Sequence, residues 1–391
     1  MATDMDSQDI EVLRHTLYPI AAAAGVSDRL IDCATMNLQL DCKVRELAEC
    51  QPEHTHSVGR YVDGLVSAER IATGRSMWEL HRDLLNAISR THDLPAPILL
   101  SIWGIESNFG SHMGNFSVLR SLATLIVLGG RRQSFWCEQF VAAVQMCQQQ
   151  NLSPEHVTGS WAGAMGHMQF MPTTYRDFAV DFDGDGCADI WSSVADALAS
   201  AANYLRKSGW QNSFGWGMEI ELPDDFDFIR FADGEPRQLD VWQEIGVQPS
   251  ENKWSQSQDD TAWRLLLPSG VNGPTFLVTR NFDVILAYNA AMSYAIAVVH
   301  LADRIAGKNA FEKQWPNDSP LTLKERKMLQ QSLVARGYDT GGVDGVLGRA
   351  SRAAIRRYQI ANGLIADGFA SRELLECVQK NYTLRGPCQT E

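Results

Sequence analysis

Apolar residues recur every three or four positions along most of the first half of the chain. From Ile10 to about Arg206 this spacing runs through segments such as VDGLVSAERIA, MWELHRDLLNAISR and FWCEQFVAAVQMC, and it predicts a mainly α-helical body. Between residues 215 and 282 the pattern changes to short apolar stretches such as MEIEL, DFIRF and TFLVT, broken by Pro, Gly, Asp and Asn. These stretches predict a small β-rich insertion. The helical spacing returns from Phe282 to Gly307, so we expect this segment to pack back on the first body.

A polar stretch with two prolines, KQWPNDSPLT, predicts a linker over residues 313–322. Residues 323–381 hold three helical segments around the turn-rich stretch DTGGVDGVLG, which predicts a small three-helix module. Four arginines share much of one helix of this module, and we interpret them as a solvent-exposed face: Arg349, Arg352, Arg356 and Arg357. The predicted fold class is therefore mainly α (α+β), with a large domain over residues 9–312 ahead of the linker.

The bulk composition excludes several classes of protein. With 391 residues, 45% of them hydrophobic, the chain is long enough for two or more folding units. A net charge of -13 argues against a nucleic-acid partner and against a polybasic membrane patch. No run reaches the roughly 20 apolar residues of a membrane span. The first residues, MATDMDSQDIEVLRH, lack the basic start and apolar centre of an export signal.

One carboxylate, Glu106, ends the apolar run LPAPILLSIWGIE. The run predicts a helix entered at Pro97 and stopped by Gly110. Glu106 then lies near the helix C-terminus, where exposed carbonyls disfavour negative charge, and Trp103 and Phe109 lie on its face. Both effects favour a protonated acid. The alternative is a glutamate that turns to water at a helix end.

A glycine-rich stretch, GSWAGAMGHMQFMPTTY, follows from Gly159 to Tyr175. Glycine lets the backbone approach a ligand closely, while Gln169 and Tyr175 offer directional hydrogen bonds suited to hydroxyl and acetamido groups. The alternative interpretation is tight helix packing with a surface turn.

The stretch DFDGDGCADIW matches the front half of a calcium-binding EF-hand loop. Asp181, Asp183 and Asp185 occupy the first, third and fifth positions, a glycine occupies the sixth, and Cys187 follows. Ser192 stands at the twelfth position, where a glutamate is expected. The alternative is an aspartate-rich turn without metal.

Six motifs occur in a fixed order, and together they resemble the lytic murein transglycosylase B family over roughly Asp9 to Gly307: GIESNFG, GGRRQSFW, GSWAGAMGHMQFMPTTY, VDFDGDGCADIW, ADALASAANYLRKSGW and ILAYN. The resemblance implies a lysozyme-like helical catalytic domain that cuts the MurNAc to GlcNAc bond of peptidoglycan. It also implies a single catalytic glutamate and 1,6-anhydromuramoyl products. Such enzymes act in the periplasm, and we expect this chain to do so as a monomer.

The resemblance assigns roles to particular residues. Glu106 becomes the acid and then the base, and five positions become sugar-cleft residues: Ser160, Gln169, Tyr204, Tyr288 and Asn289. Arg131 and Arg132 match an arginine pair that could hold acidic or peptide parts of the substrate, with a helix-start salt bridge as the alternative. The two tyrosines could instead be packing aromatics. In related loops a later aspartate closes the metal site, and Asp196 is the nearest candidate here.

No second carboxylate accompanies the Glu106 motif, whereas ordinary glycosidases use two. That pattern suits catalysis assisted by the substrate's own acetamido group, with no cofactor required for chemistry and calcium in a structural role only. The C-terminal module resembles a peptidoglycan-binding domain, so the expected partners are glycan strands and stem peptides. The remaining alternatives are a hydrolytic muramidase and a catalytically silent wall-binding protein.

Overall fold

The structure is a computed structural model that describes residues 3–4, 7–36, 38–49, 56–150, 152–153, 157–251, 254, 261–317 and 319–384. These residues group into two units. The first unit draws on residues 1–51 and 68–208, and the second draws on residues 52–67 and 209–391. The returning helical segment, residues 282–307, belongs to the second unit.

Helices dominate the described residues, as the apolar spacing predicts. In chain order they are α1 (Ser7–Ala23), α2 (Asp28–Thr35), α3 (Cys42–Glu49), α4 (Val58–Leu65), α5 (Ala68–Leu80), α6 (Arg82–His92), α7 (Ala96–Ser107), α8 (Val118–Leu128), α9 (Gln133–Gln149), α10 (Pro172–Phe178), α11 (Val194–Lys207), α12 (Phe228–Phe231), α13 (Leu239–Glu244), α14 (Arg280–Tyr288), α15 (Met292–Ile305), α16 (Leu323–Val334), α17 (Arg349–Ala361) and α18 (Arg372–Leu384).

The strands are short, and the pairings between them that the structure shows are antiparallel. They are β1 (Thr3–Asp4), β2 (Gln39–Leu40), β3 (Phe116–Ser117), β4 (Thr158–Gly159), β5 (Gly217–Glu221), β6 (Gln248–Pro249), β7 (Arg264–Leu266), β8 (Pro268–Val271) and β9 (Thr275–Val278). In the first unit β1 pairs with β2, and β3 pairs with β4. In the second unit four strands form a sheet in the order β6-β5-β9-β7. This sheet is the β-rich insertion that the sequence predicts.

The core of the first unit forms around two apolar helices, α7 and α8. Leu99, Leu100 and Ile102 on α7 are fully buried, as are Leu122 and Ala123 on α8. A helix that is apolar on nearly all sides must be enclosed by other elements, and α5, α6 and α11 contact α7. Because α7 is held from several directions, the residues at its C-terminal end have a fixed position.

The second unit contains two further hydrophobic cores. Trp242, Trp263 and Phe231 fill the core of the insertion, whereas Leu329 and Tyr358 lie in the core of the three-helix module. These separate clusters agree with an insertion and a module that each bury their own apolar side chains.

The predicted linker, residues 313–322, is attached to the insertion. Both carboxylate oxygens of Glu219 on β5 accept backbone N–H groups, from Glu312 at 2.7 Å and from Lys313 at 3.0 Å. The ring of Trp315 lies against Gly59 on α4, where a Cβ would come within 2.4 Å of the tryptophan Cβ. The start of the stretch, up to Trp315, is therefore held by specific contacts.

The interpretation of the α17 arginines as a solvent-exposed face is wrong for Arg356. Arg349, Arg352 and Arg357 are exposed, but Arg356 is only 9% exposed. The reason is the turn at Gly368, where the guanidinium Nη1 of Arg356 lies 2.8 Å from the position that a Cβ would occupy. This glycine leaves room for a buried arginine.

Within the described residues, no single helix combines the length and the apolar composition needed to cross a membrane. Helices α14 and α15 meet both criteria only as a pair, and the chain bends by 114° between them.

Candidate active site

Glu106 lies in the last turn of α7, in a half-buried position. The helix ends three residues before the predicted stop at Gly110. Asn108, Phe109 and Gly110 all adopt positive φ angles of 49°, 57° and 86°. Asparagine and glycine tolerate this left-handed region, whereas a phenylalanine there carries backbone strain of about 1–3 kcal/mol. The strained turn fixes the direction in which the chain leaves Glu106.

The ring of Phe109 explains how the turn is held. It folds back on α7 and packs edge-on against Trp103, with ring centroids 5.6 Å apart, and it is only 8% exposed. Gly104 makes this contact feasible, since a Cβ there would lie 2.7 Å from the tip of the phenylalanine ring. Burial of an aromatic ring stabilises the fold by an amount similar to the backbone strain, about 1.5–3 kcal/mol.

Hydrogen bonds attach the end of α7 to the glycine-rich stretch. The buried hydroxyl of Ser107 donates to the carbonyl of His167 at 2.6 Å and accepts the N–H of Gly110 at 3.0 Å. The indole N–H of Trp103 donates to Nδ1 of His167 at 3.0 Å. Burial lowers the pKa of His167, which agrees with a neutral imidazole whose Nδ1 accepts a hydrogen bond. These bonds fix the residues on both sides of Glu106.

Gln169 lies two residues after His167, and its backbone has a positive φ of 50°. Its side-chain Nε2 donates to the carbonyls of Met113 and Gly166, at 3.1 and 2.9 Å. The side-chain NH₂ group of Gln169 therefore joins the loop after Glu106 to the glycine-rich stretch. The side-chain oxygen of Gln169 is left to accept a hydrogen bond from a ligand.

Ser160 follows directly after β4, which pairs with β3 so that Phe116 faces Gly159. The Ser160 hydroxyl accepts the N–H of Ala164 at 3.0 Å, and its own N–H donates to the Ala164 carbonyl at 2.7 Å. Gly114 packs against this turn so closely that a Cβ would lie 2.2 Å from the Gly159 carbonyl oxygen. Small residues in this motif therefore bring Ser160 into the region of the Glu106 loop.

Tyr204 on α11 packs against two phenylalanines of this region. Its ring centroid lies 6.2 Å from Phe170 and 4.7 Å from Phe178. Burial raises the pKa of the Tyr204 hydroxyl. The Tyr204 side chain is half-buried. The same side chain can therefore pack against these rings and also contact a substrate. Glu106, Ser160, Gln169 and Tyr204 thus all lie within the first unit.

The other sequence-predicted substrate residues lie on different elements. Arg131 and Arg132 are exposed just before α9, and the Arg132 guanidinium lies 5.2 Å from the ring centroids of Phe135 and Trp136. Neither arginine forms an ion pair with a residue that the structure describes. Tyr288 and Asn289 belong to the second unit, at the C-terminal end of α14. Their part in a sugar cleft stays a prediction.

The aspartate-rich loop follows the glycine-rich stretch and precedes α11. Carboxylate oxygens of Asp181, Asp183 and Asp196 lie within 4.8 Å of one another, the first two exposed and the third buried. Asp185 and Cys187 are outside this cluster, and the Cys187 N–H donates to a carboxylate oxygen of Asp185 at 2.8 Å. The buried Asp196 accepts backbone N–H groups from Phe182, Asp183 and Asp189. Carboxylates at this separation are hard oxygen ligands that suit calcium.

Sequence reasoning missed two positioning residues of the site, Ser107 and His167, and identified Trp103 only as an apolar neighbour of Glu106. All three lie inside quoted stretches, within three positions of Glu106 or Gln169, but their hydrogen bonds join positions 60 or 64 residues apart. A pattern read along one helix detects Trp103 only as an apolar residue. The serine directly after Glu106 and the histidine two residues before Gln169 were the available signals.

Comparison with known families identifies the chain. The transglycosylase SLT domain profile matches residues 11–303, and the profile of a putative peptidoglycan binding domain matches residues 322–377. The chain belongs to the SLT transglycosylase family. The membrane-bound lytic murein transglycosylase B of Escherichia coli (strain K12) is 30% identical to this SLT transglycosylase over 249 residues, 63% of this chain and 67% of that protein.

Solved structures agree with this membership. SltB3 of Pseudomonas aeruginosa, in complex with NAG-anhNAM-pentapeptide, is 41% identical with a TM-score of 0.88, covering 95% of this SLT transglycosylase and 100% of that chain. Its complex with NAG-NAM-pentapeptide gives the same values. The Escherichia coli lytic transglycosylase Slt35 in complex with calcium is 24% identical with a TM-score of 0.63, covering 78% and 96%, and shows the shared fold. The predicted family, fold class and enzyme class are confirmed.

Proposed function

We propose that this chain cleaves the β-1,4 bond between MurNAc and GlcNAc in peptidoglycan without water and leaves 1,6-anhydromuramoyl ends. One observation carries the proposal: Glu106 lies at the end of α7, beside the Ser107–His167 hydrogen bond, in a chain of the SLT transglycosylase family. The substrate fragments bound by SltB3 support the same substrate class. A silent wall-binding protein would have no need of a glutamate held in this way.

The reaction begins with Glu106 as the general acid. Its proton passes to the glycosidic oxygen as the bond to the MurNAc anomeric carbon breaks. The half-buried position at a helix C-terminus favours the protonated acid that this step needs. The substrate's own 2-acetamido oxygen then stabilises the positive charge at the anomeric carbon, in the role that a second carboxylate has in ordinary glycosidases.

Glu106 next acts as the base. Its carboxylate removes the proton from O6 of the same MurNAc, and O6 attacks the anomeric carbon to close the 1,6-anhydro ring. The proton thereby returns to Glu106, and no water is consumed. Because this attack is intramolecular, O6 has a large effective concentration relative to water. Ser160, Gln169 and Tyr204 hold the sugars beside Glu106, and Tyr288, Asn289, Arg131 and Arg132 extend the substrate contacts.

The domain boundaries belong to the same proposal. Residues 9–312 form the catalytic domain with the insertion at about 215–282, residues 313–322 connect it to the module, and residues 323–381 bind the wall. The peptidoglycan-binding profile over residues 322–377 supports this division. The partners are glycan strands and stem peptides, and the site of action is the periplasm, where these polymers occur.

We also propose that the aspartate-rich loop binds calcium in a structural role. Asp181, Asp183 and Asp196 supply carboxylate oxygens close enough to share one ion. Asp196 begins α11 and already organises the loop through three backbone N–H groups. An ion here would hold the loop against the helix that carries Tyr204 and would take no part in proton transfer.

The decisive experiment is mass spectrometry of digested sacculi. The proposal predicts muropeptides that are lighter by one water than their lysozyme counterparts and that resist borohydride reduction. Mainly reducible MurNAc ends would instead identify a hydrolytic muramidase. Intact sacculi, recovered together with bound protein, would identify a wall-binding protein without activity.

A further inference from the structure

A cleft of about 580 Å³ opens within the second unit, between the β-rich insertion and the three-helix module. One wall comes from β7 and the start of β8, and the other comes from α17 and the turn at Gly368. We propose that this cleft binds the free carboxylates of peptidoglycan stem peptides. The proposal rests on the proposed function for its substrate, but it concerns a site in a different unit from Glu106.

The charge of the cleft contrasts with that of the whole chain. Although the chain has a net charge of -13, five arginines and two aspartates line the cleft: Arg264, Arg326, Arg349, Arg352, Arg356, Asp233 and Asp367. A concave surface with one dominant sign of charge attracts ligands of the opposite sign. The cleft therefore favours an anion.

Both aspartates are already occupied. Asp233 forms two parallel hydrogen bonds with Arg237, at 2.8 and 2.7 Å, and this arginine lowers the pKa of Asp233 to about 2. Asp367 accepts from the Gln359 side chain at 2.8 Å and from the N–H groups of Phe369 and Val271. Neither acid forms an ion pair with the α17 arginines among the described residues.

Arg356 is the residue that points most strongly to a ligand. It is 9% exposed and lines the cleft, yet no residue that the structure describes forms an ion pair or hydrogen bond with its guanidinium. Burial lowers its pKa, and Arg352, one turn away on the same face of α17, lowers it further, whereas the nearby Asp233 and Asp367 raise it without bonding to it. Two like charges spaced by four residues destabilise a helix slightly. A bound carboxylate would reverse this cost and supply the missing acceptors.

Arg264 is ion-paired with Asp283, and Arg326 donates to the carbonyls of Gly345 and Leu321, so room for exchange is left at Arg352 and Arg349. Arg352 donates one hydrogen bond to the Leu347 carbonyl at 3.3 Å and forms no ion pair within the described part of the chain. Arg349 pairs with Glu235 at 2.8 Å, but both side chains are more than half exposed. An exposed pair of this kind stabilises little, so a ligand carboxylate can replace Glu235. The uncapped first turn of α17 adds backbone N–H groups and the positive end of the helix dipole.

The remaining lining selects the kind of anion. Leu265, Leu267, Pro268, Leu347 and Phe369 give the cleft apolar walls beside the arginines. Such a site suits an acid with a hydrocarbon backbone, as in a short peptide with free carboxylates, better than a small hydrated anion. The SltB3 complexes contain pentapeptide-bearing fragments, so this chemistry accompanies the proposed substrate.

Calorimetry on the full chain with a sugar-free stem pentapeptide tests the proposal. We expect Arg352→Gln and Arg356→Gln each to weaken binding by about 10- to 100-fold, the range for a lost hydrogen bond between charged groups. Arg357→Gln is the matched control, because Arg357 is exposed on the same helix and does not line the cleft. Amidation of all peptide carboxylates should weaken binding to the wild-type chain to a similar extent.

Three results would overturn the proposal: no pentapeptide binding, equal binding by all three variants, or full displacement of the peptide by an equal concentration of inorganic phosphate. Cleavage of peptide-free glycan strands tests the proposed function separately. If those strands yield anhydro ends while the pentapeptide does not bind, only the cleft assignment fails. If the peptide binds as expected and the glycan stays intact, the activity assignment fails and the cleft assignment stands.

Discussion

Ser107→Ala tests whether the end of α7 is held as the structure indicates. The change removes one hydroxyl that is 1% exposed and is engaged at both of its hydrogen-bonding functions. The His167 carbonyl loses its 2.6 Å donor, and the Gly110 N–H loses its 3.0 Å acceptor. No new atom enters the core, so the variant isolates these two contacts.

The expected cost follows from the two backbone groups left without a partner. Each buried group without a hydrogen bond costs about 1–3 kcal/mol, so for the two groups we expect a loss of about 2–6 kcal/mol in the free energy of unfolding of the first unit. Alanine's higher helix propensity offsets roughly 0.5 kcal/mol of this. Release of the strained turn also shifts Glu106, and a displacement of about 1 Å can lower the rate by up to about 100-fold.

Urea unfolding and muropeptide release from sacculi measure the two effects. Ser121→Ala on α8 is a matched control, because this serine is fully buried and its hydroxyl has no partner among the described residues. We expect that control to be neutral or slightly stabilising, with unchanged turnover. If the two variants prove equally stable and equally active, the hydrogen bonds of Ser107 do not hold the site, and the reasoning is wrong.

Four other predictions concern separate features. Glu106→Gln should keep the melting temperature but lower cleavage by at least about 10² to 10⁴, measured on sacculi. Calcium should raise the melting temperature, with about 2.7 kcal/mol of stabilisation at a hundredfold excess over Kd, and Asp183→Asn should reduce this shift. Burial lowers the pKa of His300 from 6.5 to about 4; because the unfolded chain takes up this proton first, stability should fall by about 3 kcal/mol as pH drops through that window, and His300→Leu should flatten the profile. Deletion from Pro316 onward should preserve cleavage of soluble muropeptides and weaken action on insoluble sacculi.

Local patterns predict the elements of this fold well because helix periodicity and turn residues act over short distances. The run that ends at Glu106 gives α7 to within one residue at its start. Its end differs, because Asn108 and Phe109 adopt left-handed backbone conformations before Gly110 does. This backbone conformation depends on the contact of Phe109 with Gly104 and Trp103. The sequence pattern alone does not reveal that contact.

Long-range contacts account for the features that the sequence did not predict, namely the burial of Arg356 and the role of His167. Arg356 follows the pattern of a solvated helix face, but the turn at Gly368 covers it. Only folding brings that turn to α17. His167 likewise acts through hydrogen bonds to α7, and its role depends on which carbonyl and which ring nitrogen face that helix.

The segment that carries α4 has a consequence for biosynthesis. Helix α4 belongs to the second unit and packs against α15, although α15 begins only at Met292. At about 5–20 residues per second, the ribosome needs roughly 10–45 s to make the chain between these helices. During that interval α4 lacks its packing contact with α15, whereas the neighbouring helices of the first unit can already assemble. The second unit can therefore finish folding only after its later part, residues 209–391, has been made and has joined the early segment, residues 52–67. Because the second unit is built from two separate stretches, no single cut in the chain yields both units intact.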